Sequence, residues 1–215
     1  MKKKGFTIIE LMAGIVIFTL GILSVFSLVS STINISVKTR EQVIASNIAR
    51  EQIEFIKNIR NTNWLKFQEL EQNWDNLNDY LNTPTTSRKI GELLNDRNPL
   101  YLIIENNYGD INSPININII GPGFDESENK INKSDFEGNL YIDGEGRYVH
   151  KSTDNKPTKL KSYIKISRLE SKDEKNGGNK ITINEAYKID SVVISMEKGL
   201  NKYVISTIIS NWKKE

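Results

Sequence analysis

The chain has 215 residues, with 29 Lys and Arg against 27 Asp and Glu, one histidine and no cysteine. That length accommodates one domain with a real core plus an accessory element, and 38% hydrophobic with 26% charged residues fits a folded protein rather than a disordered tail. Without cysteine there is neither a disulfide framework nor thiolate chemistry, and the single histidine, His150, argues against a His-built zinc site or a Ser–His machine.

The first element opens on "KKKGFTIIELM" (2–12). From Leu11 to Val29 no residue is charged. Counted from Phe6, the stretch exceeds ~20 residues, enough to cross a bilayer as a helix. Lysines lie only on its N-terminal side, so the N-terminus is expected in the cytoplasm and the chain beyond about residue 35 outside. Removing Lys2, Lys3 and Lys4 leaves 26 basic side chains against 27 acidic ones, so the basic excess belongs to the leader. The remainder carries no electrostatic footprint for nucleic acid.

Glu10 is the anomaly in this run, because a carboxylate in the apolar layer costs ~2.5–3.5 kcal/mol and is usually placed there for a partner. A secretory signal peptide would be cleaved near the Ser-rich stretch after Val29, but the apolar run is longer than such a segment needs. A plain membrane anchor accounts for everything except Glu10 and the Gly5–Phe6 junction.

A third reading accounts for those as well. A basic leader, a glycine, an aromatic residue and an apolar helix with glutamate at its fifth position resemble the class III signal of type IV prepilins and pseudopilins. The resemblance implies that a membrane peptidase cuts between Gly5 and Phe6 and methylates the new amine of Phe6. Glu10 then accepts that amine, from its own chain or from a neighbouring subunit, which offsets two desolvation penalties together. The implied partners are other pilin subunits through the N-terminal helix, the prepilin peptidase, and a cytoplasmic ATPase with a platform membrane protein. The competing role for Glu10 is at the membrane interface, where it only favours the helix N-terminal dipole.

Past Val29 the pattern becomes periodic. Ile33, Val37, Ile44, Ile48, Phe55 and Ile59 form one helical stripe, with Lys38, Arg40, Glu41, Gln42, Arg50 and Glu51 filling other positions. No proline interrupts Phe6 to Arg60, so the spacing predicts one helix of over fifty residues, ~80 Å long. Gly14 and Gly21 share a face and permit close helix approach, although membrane helices also simply tolerate glycine. The stretch "AREQIEFIKNIRNTNWLKF" (49–67) is similar to the helix end and following loop of minor-pilin-like proteins, including pilus modification proteins. The expected division is a leader (1–5), a transmembrane or filament-core helix (6–30), its amphipathic continuation (31–60) and an outer domain (61–215).

In the outer domain, Trp64, Phe67, Leu70, Trp74, Leu77 and Leu81 have helical spacing, and "NTPTTS" (82–87) ends that run. Strands are expected at 100–104, 115–120, 139–143, 147–150, 160–169, 181–183, 188–196 and 202–212, the last two as a hairpin. A long amphipathic helix on an antiparallel sheet is an α+β plan. The loop 121–139 gathers Asp125, Glu126, Glu128, Asp135 and Glu137, oxygen ligands for calcium in principle, but lacks the EF-hand order, so a solvated acidic loop is expected. His150 is expected at the surface. Many pilins close their C-terminal region with a disulfide; here packing must serve, with Trp212 as a candidate anchor.

No nucleophile is paired with a base, so no enzyme and no cofactor are expected. The leading reading is a structural subunit, a minor one, of a type IV pilus. The alternatives are a pseudopilin of a type II secretion or competence system, or a membrane-anchored binding protein that never polymerises.

Overall fold

The structure is a computed structural model that describes residues 5, 7–66, 75, 77, 89–94, 98–106, 115–122, 124, 131, 136–151, 154–173, 179–197 and 199–211. The fold is α+β: one long helix, α1 (Ile8–Lys66), and an antiparallel sheet. The chain divides into two compact units, Met1–Val43 and Ile44–Glu215, and α1 contributes to both.

Within the first unit, α1 is bare. Its apolar side chains from Ile8 to Val29 are exposed, with Ile8 and Phe26 at 80% and 73%. The hydroxyls in this half fold back on the helix itself: Thr19 donates to the Ile15 carbonyl, Ser24 to Leu20 and Thr32 to Leu28, the last two at 2.9 Å. A polar side chain satisfied by its own i−4 carbonyl presents less unmet hydrogen bonding to hydrocarbon. One helix among the described residues is long and apolar enough to cross a membrane.

In the second unit the helix has a buried face. Ala45, Ile48, Ala49, Gln52, Ile53, Ile56, Ile59 and Asn63 are buried, recurring at three- and four-residue steps. This corrects the stripe read from the sequence in three places. Ile33 is exposed, Glu41 is buried rather than solvated, and Phe55 is only half-buried. The two alanines explain the shift, since small side chains let the helix lie close to Leu140 and Val193 of the sheet. The helix also continues past Arg60 to Lys66, because nothing in "NTNWLK" breaks it.

The strands are β1 (Leu100–Asn106), β2 (Ile115–Pro122), β3 (Asn139–Ile142), β4 (Tyr148–Val149), β5 (Lys156–Asp173), β6 (Asn179–Ser195) and β7 (Asn201–Ser210). The expected run at 181–183 and the one at 188–196 are a single strand, β6. β5 organises the sheet. Along one edge it pairs with β6, which pairs with β7; along the other it pairs with β1 near Ile164 and Ile166 and with β3 near Lys161.

Alternation along β5 gives the sheet two different faces. Ile164 and Ile166 join Ile56, Ile59, Leu100, Leu102, Ile189 and Ile209 in the main core. Tyr163 points the other way, into Tyr101, Phe124, Ile131, Phe136, Val192 and Ile194. The Phe124 and Phe136 rings stack at 5.5 Å, and Tyr163 meets Phe136 edge-on at 6.4 Å. Phe124, Ile131 and Phe136 of the 121–139 stretch therefore pack on this face of the sheet. Glu137 is exposed; Asp125, Glu126, Glu128 and Asp135 lie outside the described residues, and so does the calcium question. Gly138 is required here, because a Cβ would stand 2.3 Å from Phe136 Cε1 and 2.6 Å from the Ser162 carbonyl.

A short helix, α2 (Ile90–Leu93), is held by Asp75. One carboxylate oxygen accepts from Gly91 N at 2.9 Å and from the Tyr187 hydroxyl at 3.0 Å. Of the expected 64–81 helix, Trp64 and Leu65 belong to α1 and Leu77 is in the main core, while Phe67, Leu70, Trp74 and Leu81 lie outside the described residues, as does Trp212.

His150 is not the surface residue the sequence suggested. It is half-buried at the end of the β3–β4 hairpin, with Nδ1 3.1 Å from the Asn139 carbonyl and Nε2 3.2 Å from Ser162 Oγ. Gln52 of α1 donates to the same Ser162 Oγ at 2.7 Å and accepts from Ser191 Oγ at 2.7 Å. The chain thereby runs through four elements that are far apart in sequence.

Candidate assembly site at the N-terminus

The site begins where α1 begins. Thr7 precedes the first helical residue, and Glu10 stands in the first turn. Thr7 N and Thr7 Oγ1 both donate to Glu10 Oε2, at 3.2 and 3.1 Å, while Glu10 N reaches back to Thr7 Oγ1 at 3.4 Å. This is a capping box, in which two side chains satisfy backbone donors that the helix leaves open at its start. The sequence signal was "TIIE", a T-x-x-E ahead of an apolar run, and the expectations drawn from sequence overlooked Thr7.

Within this chain, the described partner of the Glu10 carboxylate is Thr7. The carboxylate serves the helix end, which places negative charge at the positive pole of the macrodipole. It is also exposed, as are Thr7 and the residues around it, so it is open to a cation brought to it.

Gly5 is exposed, and a Cβ added there meets nothing within 4 Å. Packing among the described residues therefore gives no reason for glycine at this position. The same holds for Gly14 and Gly21. Gly21 instead forms the floor of an open apolar groove on α1, edged by Phe18, Ile22, Val25, Phe26 and Val29. Phe6 lies outside the described residues, so of the three residues expected to form the site the structure describes Gly5 and Glu10.

Residues 1–26 match the family described as the prokaryotic N-terminal methylation motif. The chain carries a class III prepilin signal. With the long apolar helix behind it, this motif supports a type IV pilin-like or pseudopilin-like protein, structural in kind and membrane-anchored before display outside the cell. A pilin-like motif implies processing by a prepilin peptidase and association with other pilins. No curated protein and no solved structure matches the chain.

Among the described residues no group of three or more His, Asp and Glu side chains is placed to hold a metal ion.

Proposed function

We propose that this chain is a minor subunit of a type IV pilus, cut between Gly5 and Phe6, N-methylated on Phe6 and drawn from the membrane into an extracellular fibre. The observation that carries the reading is the matched motif at 1–26 leading directly into an apolar helix half that no described residue covers. A helix bare on every side is stable only with lipid or with like helices around it.

The capping box supports the role given to Glu10. Thr7 N already lies 3.2 Å from Glu10 Oε2, and the amine released by cutting behind Gly5 belongs to the residue immediately before it. A terminal cation on Phe6 is therefore within local reach of the carboxylate. Pairing the two in the same chain removes part of the cost of keeping each in hydrocarbon. Exchanging the pair for one between neighbouring subunits transfers that gain to the fibre and fixes the axial register of one helix on the next. Lys2, Lys3 and Lys4 keep the uncut leader on the cytoplasmic side.

Under this reading residues 6–30 form the filament core, 31–60 the amphipathic continuation and 61–215 the displayed domain. A pseudopilin of a secretion or competence system would use the same N-terminus in the same way. The intact mass of the protein purified from its native membrane tests the proposal. The expected mass lacks residues 1–5 and carries one added methyl group, about 14 Da. A mass that retains the leader leaves a tethered ectodomain and refutes processing.

A further inference from the structure

The buried hydrogen-bond chain beneath the helix has a fixed direction. The Asn139 carbonyl can only accept, so His150 Nδ1 carries the proton there, and the neutral ring's Nε2 is an acceptor. Ser162 Oγ then donates to Nε2, Gln52 donates its amide hydrogen to Ser162 Oγ, and Ser191 Oγ donates to Gln52 Oε1. With a neutral histidine each donor in this chain, the Ser162 hydroxyl hydrogen included, has an acceptor.

A proton on Nε2 breaks this order. Nε2 would become a second donor to Ser162 Oγ, and the hydroxyl hydrogen of this fully buried serine would lose the acceptor it had. Neither ring nitrogen has a carboxylate as its hydrogen-bond partner among the described residues. Glu51 of α1, Glu105 of β1 and Tyr148 of β4 line the small cleft beside His150. Burial pushes the Glu105 carboxyl up, while Lys151 pulls it down. The ring's own hydrogen-bond partners are the Asn139 carbonyl of β3 and the Ser162 hydroxyl of β5.

We propose that His150, Ser162 and Gln52 form an acid-sensitive latch that holds the outer half of α1 on the sheet, closed while His150 is neutral and released when the ring is protonated. Gln52 is the point at which the latch grips the helix, being buried at the middle of the covered stretch between Ala45 and Asn63. The displayed domain would then respond to acid by loosening the helix it rides on, without any change in the sheet. Burial supports the direction, lowering the His150 ring to about 4.

His150 is the chain's one histidine, so the test needs no assignment. The full chain, ring-labelled with nitrogen-15 and held in detergent micelles, is titrated from pH 7.5 to 3.5 by NMR, and amide exchange is followed over 45–63. The expected neutral form carries its proton on Nδ1 and titrates at least one unit below 6.5. Protection of the Ile48–Ile56 amides, corrected for intrinsic exchange, falls about tenfold or more across that titration. His150→Asn is expected to flatten the fall. A ring that titrates near 6.5, a neutral form protonated on Nε2, or helix protection unchanged while the ring titrates would each overturn the latch.

Discussion

The two halves of α1 are one continuous helix with opposite dependence on the rest of the chain. Residues 8–43 bury almost nothing, whereas 44–66 supply Ile56 and Ile59 to the main core and Ala45, Ile48 and Ala49 to a second cluster. Helical hydrogen bonding alone rarely sustains a long helix in water, and tertiary burial usually does that work. The covered half has its burial within the chain; the bare half must find its burial in lipid or in other subunits. Under the proposed function, the same secondary structure serves folding in one half and assembly in the other.

This contrast can be broken at chosen places. The largest effect is expected for Glu10→Ala, which should enter the membrane normally yet be depleted from sheared fibres at least tenfold, the loss of a charge pair of a few kcal/mol in a medium that penalises it. Quantitative immunoblotting of membrane and fibre fractions reads the result, and wild-type abundance in fibres would sink the pairing mechanism. In the covered half, Ile56→Ala should destabilise the outer domain by about 2–5 kcal/mol in denaturant titration, since it empties a fully enclosed site.

Acidification comes next. His150 is depressed to about 4 from its ordinary 6.5, mainly by burial. Its native state binds fewer protons than the unfolded chain, so this stability is full above about pH 6.5, falls as the pH drops toward 4, and then levels; the span is about 3 kcal/mol at most. Glu105 works in the opposite sense, because its raised carboxyl takes up a proton first in the folded state and returns stability on acidification. Urea midpoints at pH 7 and pH 4.5 for wild type and His150→Asn separate the two, with the smaller pH dependence expected in the variant. Gly138→Ala should cost about 1–3 kcal/mol through its clash with Phe136 and the Ser162 carbonyl. The smallest change is expected in the bare half: Ile33→Ser should leave the outer domain's denaturant midpoint within about 0.5 kcal/mol of wild type.

Much of this could be read before any coordinates. The leader, the Gly5–Phe6 junction, Glu10 and the apolar run are local patterns, and so is the alternation that marks β1, β2, β5 and the β6–β7 hairpin. The helix stripe was harder. Ala45 and Ala49 carry no strong hydropathy, and Glu41 and Gln52 look like solvent residues, so the stripe caught Ile48 and Ile59 of the buried face but missed these four.

Composition and short-range periodicity by themselves determined that a charged leader precedes a membrane-length helix and that strands follow it, because those features depend on neighbours within a turn or a pleat. Only the tertiary structure decided which polar groups go inside. Gln52 meets Ser162 across 110 positions and Ser191 across 139, and whether a buried amide is tolerated depends on partners that no local window contains.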